Sequence, residues 1–163
     1  MKDIPACQSR QVSCETGSLP RGVLIVLDRR AALPVEERLA IYELIALHGH
    51  LMDAGAFDRL DELFTDDFVY DLDALGYGCL EGANALIEAS TALGDDNPLG
   101  HHVTNSLVIA EEDGLVRVRS KGIGIGADGA SGTVIYEDLI RKTPRGWRIA
   151  RRAVIPRKRP LQP

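Results

Sequence analysis

Proton transfer near neutral pH is work for imidazole, and this chain carries four histidines in two close pairs, His48 with His50 and His101 with His102. The second pair opens the run Gly100-His101-His102-Val103-Thr104-Asn105-Ser106-Leu107-Val108-Ile109-Ala110, whose β-branched and apolar residues read as one strand. Successive side chains of a strand point to opposite faces, so only one of the two can enter a given interior. His101 alternates with Val103, Asn105, Leu107 and Ile109, the more apolar set, and is expected to face inward. His102 shares the other face with Thr104, Ser106, Val108 and Ala110 and is expected nearer solvent. His48 falls on the stripe Ile41, Leu44, Ile45, His48, Leu51, Met52 at helical spacing, while His50 lies on the opposite side. Asp53 ends that helix before Ala54-Gly55, a position where aspartate commonly bonds its own backbone in a turn.

The elements that must position these groups follow from the same pattern. The first helix is expected over 33–52, with Pro34 at its first position and Glu36 and Glu37 in its first turn. After the break at Asp53-Ala54-Gly55-Ala56 a second helix is expected over 57–64. Residues 66–72 then alternate like a strand, with Phe68, Tyr70 and Leu72 on one face, so that Tyr70 is a candidate to line the interior. A further helix spans 82–93 and stops at Gly94-Asp95-Asp96-Asn97-Pro98. The histidine strand and runs over 115–126, 133–142 and 147–155, separated by turns, make an antiparallel meander. Helices first and strands after indicate α+β architecture.

Some faces stay open on pattern alone. Ile135, Glu137 and Leu139 alternate with Val134, Tyr136, Asp138 and Ile140, and both sets are partly apolar, so either Glu137 or Asp138 can look inward. Of Arg151 and Arg152, one could meet an anionic substrate group, although a charged outer sheet face is the favoured reading. Gly122, Gly124 and Gly126 share one strand face, leaving room for a ligand or, as favoured, only letting the strand bend. They do not form a dinucleotide fingerprint, because a hairpin and no helix follows.

Composition narrows the function classes. A chain of 163 residues, 45% hydrophobic and 26% charged, suits one domain with one core. Residues 1–30 lack periodicity and read as a poorly ordered arm, residues 31–156 as the domain, and 157–163 as a basic, proline-containing tail. A net charge of −5 disfavours nucleic acid as a partner, since neutralising phosphates needs a basic face. The longest early apolar run, residues 22–27, is too short for a bilayer and has no signal-peptide flanks, so a cytoplasmic location without membrane contact is expected. Cys7, Cys14 and Cys79 have no metal-ligand spacing, and neither a metal nor a disulfide framework is expected.

Leu33-Pro34-Val35-Glu36-Glu37-Arg38-Leu39-Ala40-Ile41, Leu51-Met52-Asp53, Leu63-Phe64-Thr65-Asp66-Asp67, His101-His102-Val103-Thr104-Asn105 and Gly146-Trp147-Arg148-Ile149, in this order over residues 30–155, resemble the SnoaL-like family of the NTF2-like superfamily. The resemblance implies a cone: a strongly curved mixed or antiparallel sheet with about three helices closing a deep apolar pocket. It implies enzymes without cofactor, among them polyketide cyclases, scytalone and bile-acid dehydratases and ketosteroid isomerase, many of them dimers paired through the outer sheet face. The acid–base set of the dehydratase-like members corresponds here to His48, Asp53 and His101. Where the family more often has tyrosine, this chain has His48, which gives the pocket a second imidazole.

Removing a C–H proton next to a carbonyl needs a base, and the oxygen needs a donor; such groups typically contribute about 10² to 10⁴ in rate. The expected roles are His101 as base, Asp53 orienting it through a ring N–H, and His48 or Tyr70 donating to the oxygen. Tyr42, Tyr70, Asn105 and Glu137 are the candidates for substrate contact, and Trp147 is assigned to the core. The expected partners are a small hydrophobic substrate and further copies of the chain. Two other readings use the same pocket: a ligand-binding module without chemistry, and an epoxide-opening hydrolase or cyclase.

Overall fold

The computed structural model describes residues 33–112 and 114–160; the expected N-terminal arm over 1–30 and the end of the basic tail lie outside the described residues. Helix α1, Val35–Asp53, begins behind Pro34, which takes the capping position rather than the first helical one, with Glu36 and Glu37 at the helix's positive end. Its buried face is Ile41, Leu44, Ile45, His48, Gly49 and Leu51, and His50 is exposed, as the helical spacing requires. The chain then turns at Gly55, at φ 62°, and the Ala56 N–H donates to the Leu51 carbonyl.

The second helix departs from expectation. Phe57–Glu62 forms a 3₁₀ turn, too short to propagate an α-helix, and Phe64 leaves it for a strand where its ring stacks on Phe68 at 4.1 Å. Strand β1 is Phe64–Asp71, with Phe68 and Tyr70 buried; Leu72 lies past its end. The three-residue strand β2, Cys79–Glu81, pairs antiparallel with β1 and is too short to leave an alternation in the sequence. Helix α2, Gly82–Leu93, follows it, burying Leu86 and Ser90.

Strands β3 Gly100–Glu112, β4 Leu115–Ile125, β5 Ser131–Thr143 and β6 Gly146–Pro156 form the meander. The six strands make one sheet in the order β2-β1-β6-β5-β4-β3, antiparallel except for the parallel β1–β6 pair. The architecture is α+β: a curved mixed sheet with α1, α2 and the 3₁₀ turn packed on it. The inner face is set by β4, where Val116, Val118, Ser120 and Gly122 are buried.

Two β-bulges correct the simple alternation of β3. The chain advances three residues from Thr104 to Leu107 where the partner strand advances two, Lys121 to Arg119, and a second extra residue lies between Val108 and Ala110. The first bulge holds Asn105 at φ 52°, a left-handed conformation asparagine tolerates better than most residues. His101 and Val103, opposite Gly124 and Gly122, keep the inner face. Beyond the bulge the phase flips: Val108 is buried, whereas Leu107 is opposite Arg119 and exposed. Asn105, Leu107 and Ile109 therefore do not continue the His101 face.

A third bulge decides the arginines. Leu139 pairs with Arg151 and Ile140 with Ile149, so Ala150 is the extra residue, and burial passes from Trp147 and Ile149 to Arg152 and Val154. Arg152 is therefore inside, against the reading of both arginines as an outer charged face, and Arg151 pairs with Asp71 at 2.6 Å. On β5 the inner set is Tyr136, Asp138 and Ile140. Gly122 does not leave room for a ligand: a Cβ there would stand 2.8 Å from both Tyr136 Cζ and Val134 Cγ2, so the Tyr136 ring already fills that space.

Candidate active site

Helix α1 delivers His48 and strand β3 delivers His101 because the two backbones touch. A Cβ on Gly49 would stand far inside contact distance of the His101 carbonyl oxygen, so only glycine allows this approach. The two imidazoles meet edge to face with ring centres 5.6 Å apart. Asp53, at the end of the same helix, reaches His101 rather than closing a turn on its own backbone. Both its oxygens accept the His101 backbone N–H at 3.0 Å, and Oδ1 is 2.6 Å from His101 Nδ1. A carboxylate accepts only, so Nδ1 carries the proton and Nε2 is the free, basic nitrogen.

Exposure grades across the cluster. The side chains of His101 and Asp53 are 21% and 29% exposed, whereas His48 is 1% and Tyr70 8% exposed. The carboxylate and the first imidazole thus lie nearer the surface, and the second imidazole and the phenols lie deeper. His48 Nε2 lies 3.3 Å from the Tyr70 hydroxyl, and its ring lies 5.7 Å from that of Tyr136. Burial first, then the nearby Arg152 charge and the neighbouring His101 imidazole, hold the His48 pKa well below the ordinary imidazole value, so it is neutral. Burial pushes the Tyr70 and Tyr136 hydroxyls upward, so both remain donors.

Beneath them lies a fully buried ion pair. Arg152 donates through Nε and Nη2 to the two oxygens of Asp138 at 2.7 and 2.8 Å, and its guanidinium carbon sits 4.4 Å from the Tyr136 ring centre. The pair sits on directly opposed residues of β5 and β6. Asp138 was legible only as one of two alternatives, and Arg152 was hidden by the bulge at Ala150, which leaves no mark in composition.

Of the sequence candidates, the structure brings together His48, Asp53, His101 and Tyr70. Glu137 lies on the outer sheet face beside Arg119, 3.6 Å away. Asn105 is exposed in its bulge, and Tyr42 is half-buried about 9 Å of helix rise before His48. Beside this cluster stand Tyr136, which pattern did not single out, and Asp138 and Arg152, each of which it left as one of two alternatives. A separate concavity of about 470 Å³, lined by Thr65, Asp66, Asp67, Arg141, Thr143, Pro144 and Arg145, shares no residue with the cluster. Its rim is tied by Arg141–Asp67 and Arg145–Asp66 ion pairs.

Residues 34–153 match the model of the SnoaL-like domain. Among solved structures, a candidate aromatic ring hydroxylase from Novosphingobium aromaticivorans is 28% identical, with 78% of this chain and 93% of that one covered at a TM-score of 0.63. An NTF2-like protein with a cystatin-like fold from the same organism is also 28% identical, with 75% and 82% covered at 0.63. A candidate scytalone dehydratase from that organism is 21% identical, with 76% and 86% covered at 0.62, a likeness of fold. No curated protein matches this chain.

Proposed function

The chain belongs to the SnoaL-like domain family, and on that premise we propose that it is an acid–base enzyme, a lyase, cyclase or isomerase, working next to a carbonyl of a hydrophobic polyketide-, terpenoid- or steroid-like molecule. The observation that carries this reading is the Asp53–His101 contact, in which the carboxylate holds both the backbone N–H and the ring Nδ1 of one imidazole. That arrangement fixes tautomer and orientation together, leaving Nε2 as the proton acceptor. An imidazolium formed there is stabilised by the Asp53 charge.

In this mechanism His101 Nε2 takes the C–H proton and the electron pair moves into the carbonyl, making an enolate oxygen. Tyr70 or His48 donates a hydrogen bond to that oxygen. The proton then returns from His101 to another carbon in an isomerisation, or to a departing hydroxyl, which leaves as water, in a dehydration. Since the side chains hold every proton the sequence of steps needs, no cofactor is invoked.

The test is a screen of the purified protein against aromatic polyketide, steroid and terpenoid ketones by native mass spectrometry and chromatography. The expected result is a ligand that binds and yields a product of changed mass or retention time, lost in His101→Ala. Binding equal in both proteins with no product from either would overturn the catalytic reading and leave a ligand-binding module.

A further inference from the structure

We propose that Pro98 is a specificity-determining residue: seated on Gly124, its ring walls one side of the approach to His101 and turns away substrates branched beside the reacting carbon. This deepens the reading above, on which it rests, by naming the shape that the same site takes. The placement follows from the sheet register. Gly124 is the direct cross-strand partner of His101, so a side chain there would point to the same inner face as the imidazole. Gly124 has none, and the space is taken by another segment: a Cβ on it would stand 3.4 Å from Pro98 Cγ and 3.7 Å from Pro98 Cβ. Two residues deeper, about 7 Å along the strand, the ring of Tyr136 fills the place over Gly122 in the same way. Helix α1 closes the other side of the imidazole through Gly49 and Asp53, so the way in lies between the helix and the proline ring. Gly124 and Pro98 are both half-buried and the His101 side chain is 21% exposed, which puts the ring at the rim of the site.

A wall selects only if it does not yield, and the chain holds this one at both ends. Helix α2 stops at Gly94, at φ 51°, and a short 3₁₀ turn, Gly94–Asp96, follows. The Asn97 side-chain amide then donates to the Ser90 and Gly94 carbonyls, both at 2.8 Å, tying the segment to the end of α2. On the far side the Leu99 N–H donates to the Ile125 carbonyl at 2.7 Å, adding one bond to the β3–β4 ladder. Pro98 sits between these anchors with its own φ fixed by the ring. Asn97 is extended, with ψ 144°, the conformation that a residue before proline favours. The Leu99 side chain is exposed and adds nothing to the wall. A flexible side chain on Gly124 would swing aside for a bulky ligand, whereas a ring pinned from both directions stands fast.

The experiment gauges the approach with two reagents that acylate a free imidazole nitrogen, diethyl pyrocarbonate and the branched di-tert-butyl dicarbonate. Rates at His101 are followed on the full-length protein by peptide mass spectrometry at mildly alkaline pH, with the exposed His102 as the internal reference for each reagent. Wild-type His101 is expected to prefer the smaller reagent by about tenfold or more beyond the preference of His102, the scale on which a pocket wall discriminates one methylene. In Pro98→Gly this excess is expected to fall to within about threefold. Should that variant not fold, Asn97→Ala, which frees the ring from its anchor on α2, is expected to give the same fall, whereas Leu99→Ala keeps the wild-type preference. No excess in wild type, an unchanged excess in the Pro98 or Asn97 variant that folds, or an equal fall in Leu99→Ala overturns the proposal. These rates need no turnover. A protein that shows the preference but makes no product loses only the catalytic reading, and an active enzyme whose preference ignores Pro98 loses only this one.

Discussion

At the scale of single residues, the account rests on Asp53 acting through His101. Asp53→Asn keeps size and an acceptor but also offers an N–H, so His101 can hold its ring in the wrong tautomer. The expected effect is a loss of about 10² to 10⁴ in kcat with KM nearly unchanged, measured on the ketone that the screen identifies. An equal rise in KM with kcat intact would assign Asp53 to binding only. His48 makes a separate prediction about stability. Its folded-state pKa is depressed by burial first, so the unfolded chain binds the proton more readily than the fold does. Stability tied to this residue is therefore fully present above the unfolded value of about 6.5 and is lost as pH falls below it toward the folded value. Denaturant midpoints of wild type should fall relative to His48→Gln between neutral and mildly acid pH, and parallel curves would contradict the assignment. All three residues were singled out in the sequence: His48 on a helical stripe, His101 on a strand face, and Asp53 by family likeness. The contact of Asp53 with the His101 ring N–H was expected as well, although it joins residues 48 positions apart; the grip of the same carboxylate on the His101 backbone N–H was not, because nothing in the pattern marks it.

Elements explain what single residues cannot. Where a strand keeps its alternation, as β4 does from Val116 to Gly122, pattern alone sorts the residues correctly into two faces. Where a bulge inserted one residue, pattern failed, and it failed in β3 at Asn105 and in β6 at Ala150, where the phase flips. A one-residue shift exchanges every inward and outward side chain, so Arg152 rather than Arg151 enters the core. The meeting of α1 with β3 depends on Gly49 in the same way that the sheet depends on its bulges. Gly49→Ala should push the helix from the strand, separating His48 and Asp53 from His101. A cost of about 1 to 3 kcal/mol in stability is expected from overpacking, together with a loss of activity larger than that instability explains. A crystal structure of the variant with an unmoved Asp53–His101 contact would refute the element-level argument.

At the scale of the molecule, the sheet has two unlike faces. The inner one holds the site; the outer one exposes Leu107, Ile123 and Ile125 at 39%, 38% and 38%, with Leu99 at 70% near the same edge. Apolar groups gathered in one place on a surface mark an interaction site more often than scattered ones do, and we take this face as the seat of self-association. Native mass spectrometry should give a dimer or higher species, and Ile123→Glu should shift it toward monomer; a wild-type monomer would end that expectation. Among the described residues no helix is long and apolar enough to cross a membrane. On the proposed reading, the partly exposed His101 imidazole above buried polar groups serves one event, the removal of a proton by His101. The direct measurement is deuterium uptake from D₂O into the carbon next to the carbonyl of the identified ketone, followed by mass spectrometry. Wild type should exchange that position rapidly, and His101→Gln should slow the exchange by about 10² or more. Exchange at equal rates in the two proteins would contradict the assignment of His101 as the base.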